Sequence, residues 1–220
     1  MPLKHYTDRH LVRLLATRSR RTDITPWELT QSHVELGRFL AGELVELLDL
    51  EPCDIQHPQG MRTGWQLARE EEIILLPLLR AGLYASDGVR EVLRLSPVVH
   101  ISPRREVGLP ETELDQLPSI PSRTFVLIDS VVNTGASLEP VLRQLQERGA
   151  GRLIVVALVG PVATAKRLED AFPDVHFFFA RVSENQYTGV GATDTGNRLF
   201  GTLPKRSPEA RLAREPKEEA

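Results

Sequence analysis

The sequence predicts an α/β fold in which helices cover both faces of a parallel sheet. Three continuous apolar runs rich in branched side chains, at 73–79, 125–128 and 153–159, are typical of strands buried on both faces. Segments with helical spacing alternate with these runs, which favours parallel strands joined by crossover helices. Polar residues follow the runs where the carboxyl ends of the strands would lie, and ligands bind at that edge of a parallel sheet.

The composition limits the classes of protein to which this chain can belong. With 220 residues, 41% of them hydrophobic, the chain is long enough for one substantial core. A net charge of -3, with 27 basic residues scattered along the chain, excludes the electrostatic footprint of a nucleic-acid-binding protein. The lone Cys53 excludes an internal disulfide framework and indicates a reducing compartment. No apolar run approaches the roughly 18 residues of a membrane span, so we expect a soluble, cytoplasmic protein without membrane association.

The amino-terminal part predicts an arm followed by a long helix. Residues 5–23 are rich in Arg and His and predict a short helix or arm, whose arginines form either a solvated turn or an anion site. A capping box at Thr25–Glu28 then begins a helix expected to run to about Leu50. Its apolar stripes are expected to pack on the core or on a second subunit, and His33 is assigned to its polar face.

The pattern before the central strand is less regular. Residues 53–64 predict a short hairpin. A helix is predicted over 86–95 and a further strand over 98–102. Residues 107–123 are acidic and rich in proline, which predicts a mobile flap over the site rather than a part of the core.

The stretch 125–137 is the centre of the prediction. A buried strand ends at Asp129 and opens onto a loop of Thr, Gly and Ser, after which residues 138–145 have helical spacing and Gly149 occupies the position of a left-handed helix stop. Free backbone N–H groups and the positive end of the helix dipole suit such a loop to a phosphate. Taken alone, the pattern fits equally an ordinary strand-to-helix turn whose Thr and Ser only cap the helix.

The last third of the chain continues the alternation. Strands are predicted at 153–159 and 175–180, with a helix over 163–171 between them. Residues 187–202 contain too many Gly and Thr for regular structure, and 204–220 predict a charged, flexible tail.

Three motif blocks resemble one family. Val126–Ser137 is similar to the phosphoribosyl pyrophosphate signature of type I phosphoribosyltransferases, and the single acid at Asp129, followed by Ser130, resembles their uracil phosphoribosyltransferase branch. Pro77–Leu83 resembles the pyrophosphate-binding loop of that branch, and Tyr187–Thr202 resembles its uracil-binding hood. The resemblance implies transfer of ribose 5-phosphate from phosphoribosyl pyrophosphate to uracil, giving UMP and pyrophosphate. It also implies Mg2+ bound mainly through the substrate diphosphate, with no protein metal site, and a homodimer or higher homo-oligomer.

The resemblance also implies a division of the chain and roles for its residues. One domain over 1–203 would comprise an arm and helix (1–50), a core (51–180) and a base-binding hood (181–203), followed by the tail. Catalytic roles are implied for Arg80, Arg105 and Asp194. The donor-binding residues implied are Arg80, Ala81, Gly82, Arg105, Asp129, Ser130, Asn133, Thr134, Gly135, Ala136, Ser137 and Asp194. The base-binding residues implied are Tyr187, Thr188, Thr193, Asp194, Thr195 and Gly196.

The departures from the family pattern concentrate near the base. Thr193 stands where the family usually has Gly, Asn197 replaces a usual Asp, and Thr188–Val190 replaces an apolar approach with Pro. Asn133 and Ala136 replace smaller residues in the phosphate-binding loop. Two alternatives therefore remain open: the same reaction on another or modified pyrimidine base, and a non-catalytic nucleotide-sensing regulator of the same fold.

Overall fold

The protein is built on a five-stranded parallel sheet. The computed structural model describes residues 3–118, 122–187 and 189–202. The strands follow the order β1-β7-β6-β5-β4, and every neighbouring pair is parallel. They are β1 (Leu3–His5), β4 (Ile73–Pro77), β5 (Thr124–Val131), β6 (Arg152–Pro161) and β7 (Val175–Ser183). The predicted α/β class is confirmed, although β1, a short edge strand, was not predicted.

Helices cover both faces because alternate residues of each strand point to opposite sides. One face packs α1 (His10–Arg20), α2 (Pro26–Leu44) and α3 (Gly82–Arg90). The other packs α5 (Leu138–Glu147) and α6 (Val162–Ala171), with Gly149 stopping α5 at a φ of +80°. In β5, Phe125 and Leu127 belong to the second face, whereas Val126 and Ile128 belong to the first.

Helix α2 begins as predicted and ends earlier than predicted. The Thr25 hydroxyl accepts from the Glu28 N–H at 3.2 Å, and the Glu28 carboxylate accepts from the Thr25 N–H at 2.9 Å. The helix ends at Leu44 and a 3₁₀ turn, Val45–Leu47, follows. Its buried stripe packs on the core of this chain. His33 is 5% exposed, so its assignment to the polar face was wrong.

Three predicted segments have other bounds or another form in the structure. Residues 98–101 do not form a regular strand, but they extend the sheet edge through isolated bridges of Val98 to Leu75 and of Ile101 to Leu78. The helix predicted over 86–95 begins earlier, at Gly82, and ends at Arg90. The hairpin is longer than predicted, with β2 at Leu50–His57 and β3 at Gly60–Leu67.

The predicted mobile flap is part of the core within the described residues. It contains α4 (Glu111–Leu114), and Leu109, Leu114 and Leu117 are buried. Arg148, directly after α5, donates to Asp115 at 2.7 Å and also pairs with Glu111. The prediction failed because three buried leucines are hidden among acidic and proline residues.

The carboxyl-terminal end of the described chain contains short regular elements. A 3₁₀ turn, Gly191–Thr193, precedes α7 (Thr195–Phe200), so the expectation of no regular structure in the hood was wrong. The predicted tail at 204–220 lies outside the described residues. Among the described helices, none is long and apolar enough to cross a membrane.

Candidate active site

A cleft of about 490 Å³ opens beyond the carboxyl ends of β4 and β5. Three walls form it: residues 78–82 after β4 (the diphosphate loop), residues 133–137 after β5 (the phosphate loop), and the hood. Pro103 and Arg105 contribute from the segment along the sheet edge. The predicted site residues that line it are Arg80, Ala81, Arg105, Asp129, Asn133, Thr134, Gly135, Ala136, Ser137, Tyr187, Asp194, Thr195 and Gly196.

The phosphate loop is held from outside the cleft by two side chains of α6, which donate hydrogen bonds to its main-chain carbonyls. Thr164 donates to the Asn133 carbonyl and Arg167 donates to the Thr134 carbonyl, both at 2.7 Å. Gly135 has a φ of +78°, a conformation that favours glycine. Because these contacts fix the carbonyls away from the cleft, the loop presents N–H groups and hydroxyls at the start of α5, where an anion is stabilised.

Asp129 lies at the carboxyl end of β5, between the phosphate loop and the diphosphate loop. Burial raises the pKa of its carboxyl to about 7, and hydrogen bonds from the Ser130 and Val131 N–H groups oppose part of that rise. The Ser130 N–H donates to Asp129 Oδ1 at 2.7 Å. Burial therefore favours the protonated carboxyl, whereas the two N–H groups favour the carboxylate.

The diphosphate loop approaches β5 closely and turns Arg80 into the cleft. A Cβ on Gly82 would lie 2.2 Å from the Ile128 carbonyl oxygen, so only glycine fits at that position. The peptide bond between Leu79 and Arg80 is cis. The Arg80 guanidinium donates to Asn197 Oδ1 at 3.1 Å and lies 5.6 Å from the centre of the Phe200 ring.

Side-chain hydrogen bonds hold the hood together. The Tyr187 hydroxyl donates to the Thr193 carbonyl, and Thr193 Oγ1 accepts from the Val190 N–H at 2.9 Å and donates to the Val190 carbonyl at 3.0 Å. Asp194 Oδ1 accepts from the Asn197 N–H at 2.8 Å and so caps α7. The hood is therefore held by the side chains of Tyr187, Thr193 and Asp194.

A buried polar pair lies behind the cleft, and no sequence pattern predicts it. Ser130 Oγ donates to the Ala81 carbonyl at 2.6 Å and lies 2.9 Å from His33 Nδ1. Because the single hydroxyl proton goes to Ala81, His33 Nδ1 donates to Ser130. Burial, together with the neighbouring positive charge of Arg198, lowers the pKa of His33 to about 3. A neutral histidine of α2 is thus joined to β5 and the diphosphate loop.

Three of the predicted site residues that the structure describes do not line the cleft. Gly82 packs against β5, Ser130 faces His33, and the Thr193 side chain turns to Val190. Thr188 lies outside the described residues. The prediction also missed Gln186 and Gly189, which line the hood wall.

Oxygen ligands are available at the cleft, without a protein metal cage. Across the described ranges, no group of three His, Cys, Asp and Glu side chains is placed to hold a metal ion. Asp129 and Asp194 both line the cleft, and carboxylates are ligands that Mg2+ accepts. This donor set suits an ion brought in mostly by a substrate diphosphate and water.

The comparisons with known proteins point to one family. The sequence model of the family described as uracil phosphoribosyltransferase matches residues 6–202. The uracil phosphoribosyltransferase of Enterococcus faecalis is 33% identical over 175 residues, which is 76% of this chain and 83% of the relative. That of Lactobacillus gasseri is 31% identical over 190 residues, 83% of this chain and 90% of the relative.

Solved structures share the fold. The structure of a protein from Aquifex aeolicus is similar at a TM-score of 0.75 and 25% identity, over 91% of this chain and 99% of its own. A hypoxanthine phosphoribosyltransferase from Staphylococcus aureus is similar at a TM-score of 0.51 and 12% identity, over 86% of this chain and 91% of its own. The second likeness bears on the fold alone, and it confirms the predicted type I phosphoribosyltransferase-like architecture.

Proposed function

The chain belongs to the uracil phosphoribosyltransferase family, and from that premise we propose that it transfers ribose 5-phosphate from phosphoribosyl pyrophosphate to uracil, giving UMP and pyrophosphate. The observation that carries this proposal is the meeting of three walls at one cleft: a diphosphate loop, a phosphate loop and a hood. The named relatives support uracil as the base, and neither another pyrimidine nor a sensing role is favoured.

The phosphate loop and the end of β5 are proposed to hold the donor. The N–H groups and hydroxyls of residues 134–137 would bind the 5-phosphate at the start of α5. Asp129 and Asp194 would accept hydrogen bonds from ribose hydroxyls. Asn133, whose Oδ1 is buried without a hydrogen-bond partner among the described residues, would add an acceptor at the same wall.

The chemistry is proposed to need no protein nucleophile. The bond between the anomeric carbon and the diphosphate oxygen breaks, its electron pair leaves with pyrophosphate, and the sugar gains oxocarbenium character. The uracil nitrogen forms the new bond to that carbon and loses its proton. Arg80 and Arg105 would stabilise the departing charge, and the cleft would hold the nitrogen within reach of the carbon. The support is that both arginines line the cleft beside the loops.

We propose that Mg2+ enters bound to the diphosphate. When bound, it neutralises charge on the leaving group. The carboxylates of Asp129 and Asp194 would orient its water ligands, while the arginines hold the diphosphate oxygens.

The base is proposed to bind against the hood. Tyr187, Asp194, Thr195 and Gly196 line that wall. Thr193, also expected to bind the base, would act indirectly, because its hydroxyl holds the turn through its bonds to Val190.

The test is release of pyrophosphate from phosphoribosyl pyrophosphate and Mg2+ in the presence of uracil, cytosine, orotate or a purine. We expect release with uracil, with one UMP formed per pyrophosphate, and little release by an Arg80→Ala variant. Turnover with a different base alone would overturn the substrate. Tight donor binding with no turnover on any base would overturn the enzymatic role.

We further propose a homodimer or higher homo-oligomer. The expected interface on α2 is packed against this chain's own core, whereas the hairpin exposes Trp65 to 70% and Met61 to 57%. Light scattering after size exclusion would test this, and a monomer at micromolar concentration would contradict it.

The single cysteine, Cys53, supports our proposal of a cytoplasmic location.

A further inference from the structure

Asn197 uses both ends of its side-chain amide. Its Oδ1 accepts from Arg80 at 3.1 Å and from the Thr202 hydroxyl at 2.9 Å. Its Nδ2 donates to the Gly191 carbonyl at 3.2 Å. One side chain is therefore bonded at once to the diphosphate loop and to the 3₁₀ turn of the hood.

The neighbours determine the orientation of this amide. A guanidinium has only donors and a carbonyl has only acceptors, so Oδ1 must face Arg80 and Nδ2 must face Gly191. A carboxylate could accept from Arg80, but its second oxygen would then lie against the Gly191 carbonyl. Asparagine is thus suited to both contacts, whereas the aspartate usual in the family can make only one of them.

The contacts join two walls of the same cleft. Arg80 lies on the diphosphate wall, and Gly191 belongs to a turn that follows the cleft residue Gly189. Phe200 supports the junction, because its ring lies under the Arg80 guanidinium and 5.2 Å from the Tyr84 ring. Movement of the Arg80 side chain would therefore be transmitted to the hood turn through Asn197.

We propose that Asn197 is a positioning residue that couples the base wall to the diphosphate wall. This inference rests on the proposed function, since it assumes that Arg80 meets the diphosphate and the hood meets the base. By linkage, each substrate then changes the affinity for the other by the same factor. The departure from the family residue is on this account an adaptation that fixes the hood turn of this chain.

The experiment compares three variants in steady-state kinetics. Asn197→Asp keeps the acceptor for Arg80 and loses the donor to Gly191, so we expect the uracil KM to rise roughly three- to tenfold while the donor KM stays within about twofold. Asn197→Ala loses both contacts, and both KM values rise. Gln146→Glu is the charge control, because it makes the same amide-to-carboxylate change at an exposed position of α5 outside the cleft and leaves both KM values unchanged.

A second readout does not depend on turnover. Hydrogen exchange of the main-chain amides over 189–194 should be faster in Asn197→Asp than in the wild type or in Gln146→Glu, at an unchanged midpoint of thermal unfolding. Unchanged exchange together with an unchanged uracil KM in Asn197→Asp would overturn the proposed coupling. Failure of the wild type to use uracil would overturn the proposed function instead, while the exchange measurement would still decide the role of Asn197.

Discussion

The donor side and the hood of this protein are held in different ways. The phosphate loop is clamped between a central strand and two core helices, and its outer contacts are made by main-chain carbonyls. The hood consists of a 3₁₀ turn and a six-residue helix joined by side-chain hydrogen bonds of Tyr187, Thr193 and Asn197. The phosphate loop is bound at its main-chain carbonyls by Thr164 and Arg167, so its own side chains can change more freely, whereas the hood turn depends on which side chains it carries itself. Substitution of the hood side chains should therefore disturb the base wall directly.

The largest effect should come from Arg80, the residue that touches both sides. Replacing Arg80 with Ala removes a charge-assisted contact to the diphosphate, and we expect kcat/KM for the donor to fall roughly ten- to a hundredfold. Arg90→Ala, at the exposed carboxyl end of α3, is the matched control and should leave it unchanged. An effect confined to the uracil KM would contradict the assignment of Arg80 to the donor side.

The next largest effect is expected in the pH dependence of kcat/KM for the donor, which Asp129 should control. Burial raises the pKa of Asp129 to about 7, so the carboxylate forms only as the pH rises through that value. Because hydroxyl donors and metal-bound water favour the carboxylate, we expect kcat/KM for the donor to rise about tenfold between pH 6 and pH 8. In Asp129→Asn this rise should disappear apart from titration of the donor phosphate itself. An equally steep profile in the variant would show that Asp129 is not the titrating group.

Alanine substitutions at Gly135 and Gly149, which share a positive φ, separate backbone strain from an effect on the phosphate loop. Gly135 and Gly149 have φ values of +78° and +80°, but a Cβ on Gly135 would lie 2.9 Å from Glu139 Oε1, whereas one on Gly149 meets nothing within 4 Å. Both Ala variants should lose about 1 to 2 kcal/mol of unfolding free energy. Only Gly135→Ala should also raise the donor KM, by roughly three- to tenfold. Equal donor KM values in the two variants would exclude a specific role for the phosphate loop.

The smallest expected effect lies in the hood. Thr193→Gly restores the usual family residue and removes both bonds to Val190, so we expect the uracil KM to rise about two- to fivefold with the donor KM unchanged. Thr193→Ser keeps the hydroxyl and should retain the wild-type values. A lower uracil KM in Thr193→Gly would mean that this side chain obstructs the base.

The sequence predicted what is encoded locally and missed what is encoded at a distance. The strand, loop and helix around Asp129, the capping box at Thr25 and the stop at Gly149 each depend on neighbouring residues. His33 and Ser130 are 97 residues apart, and only the packing of α2 on β5 makes them a pair. The leucines of the expected flap are similar, because their burial depends on α5 rather than on their own acidic surroundings.

The hood contains both a motif that the sequence predicted and contacts that it did not predict. Its motif was recognisable, and Asp194, Thr195 and Gly196, for which the resemblance implies base binding, lie along the cleft. The bonds of Thr193 and Asn197 were not predictable, since a deviation from a family pattern does not reveal what the new side chain contacts. In the structure, Thr193 and Asn197 belong to one hydrogen-bonded unit of the hood.

The most direct test of the account is a competition for the donor. Equal concentrations of uracil, cytosine, thymine and orotate would be offered with phosphoribosyl pyrophosphate and Mg2+, and the nucleotide products separated by chromatography. Because product ratios in competition report the ratio of kcat/KM values, we expect UMP to be the dominant product. Dominance of another nucleotide, or donor binding without any nucleotide product, would contradict the claim that this cleft joins uracil to ribose 5-phosphate.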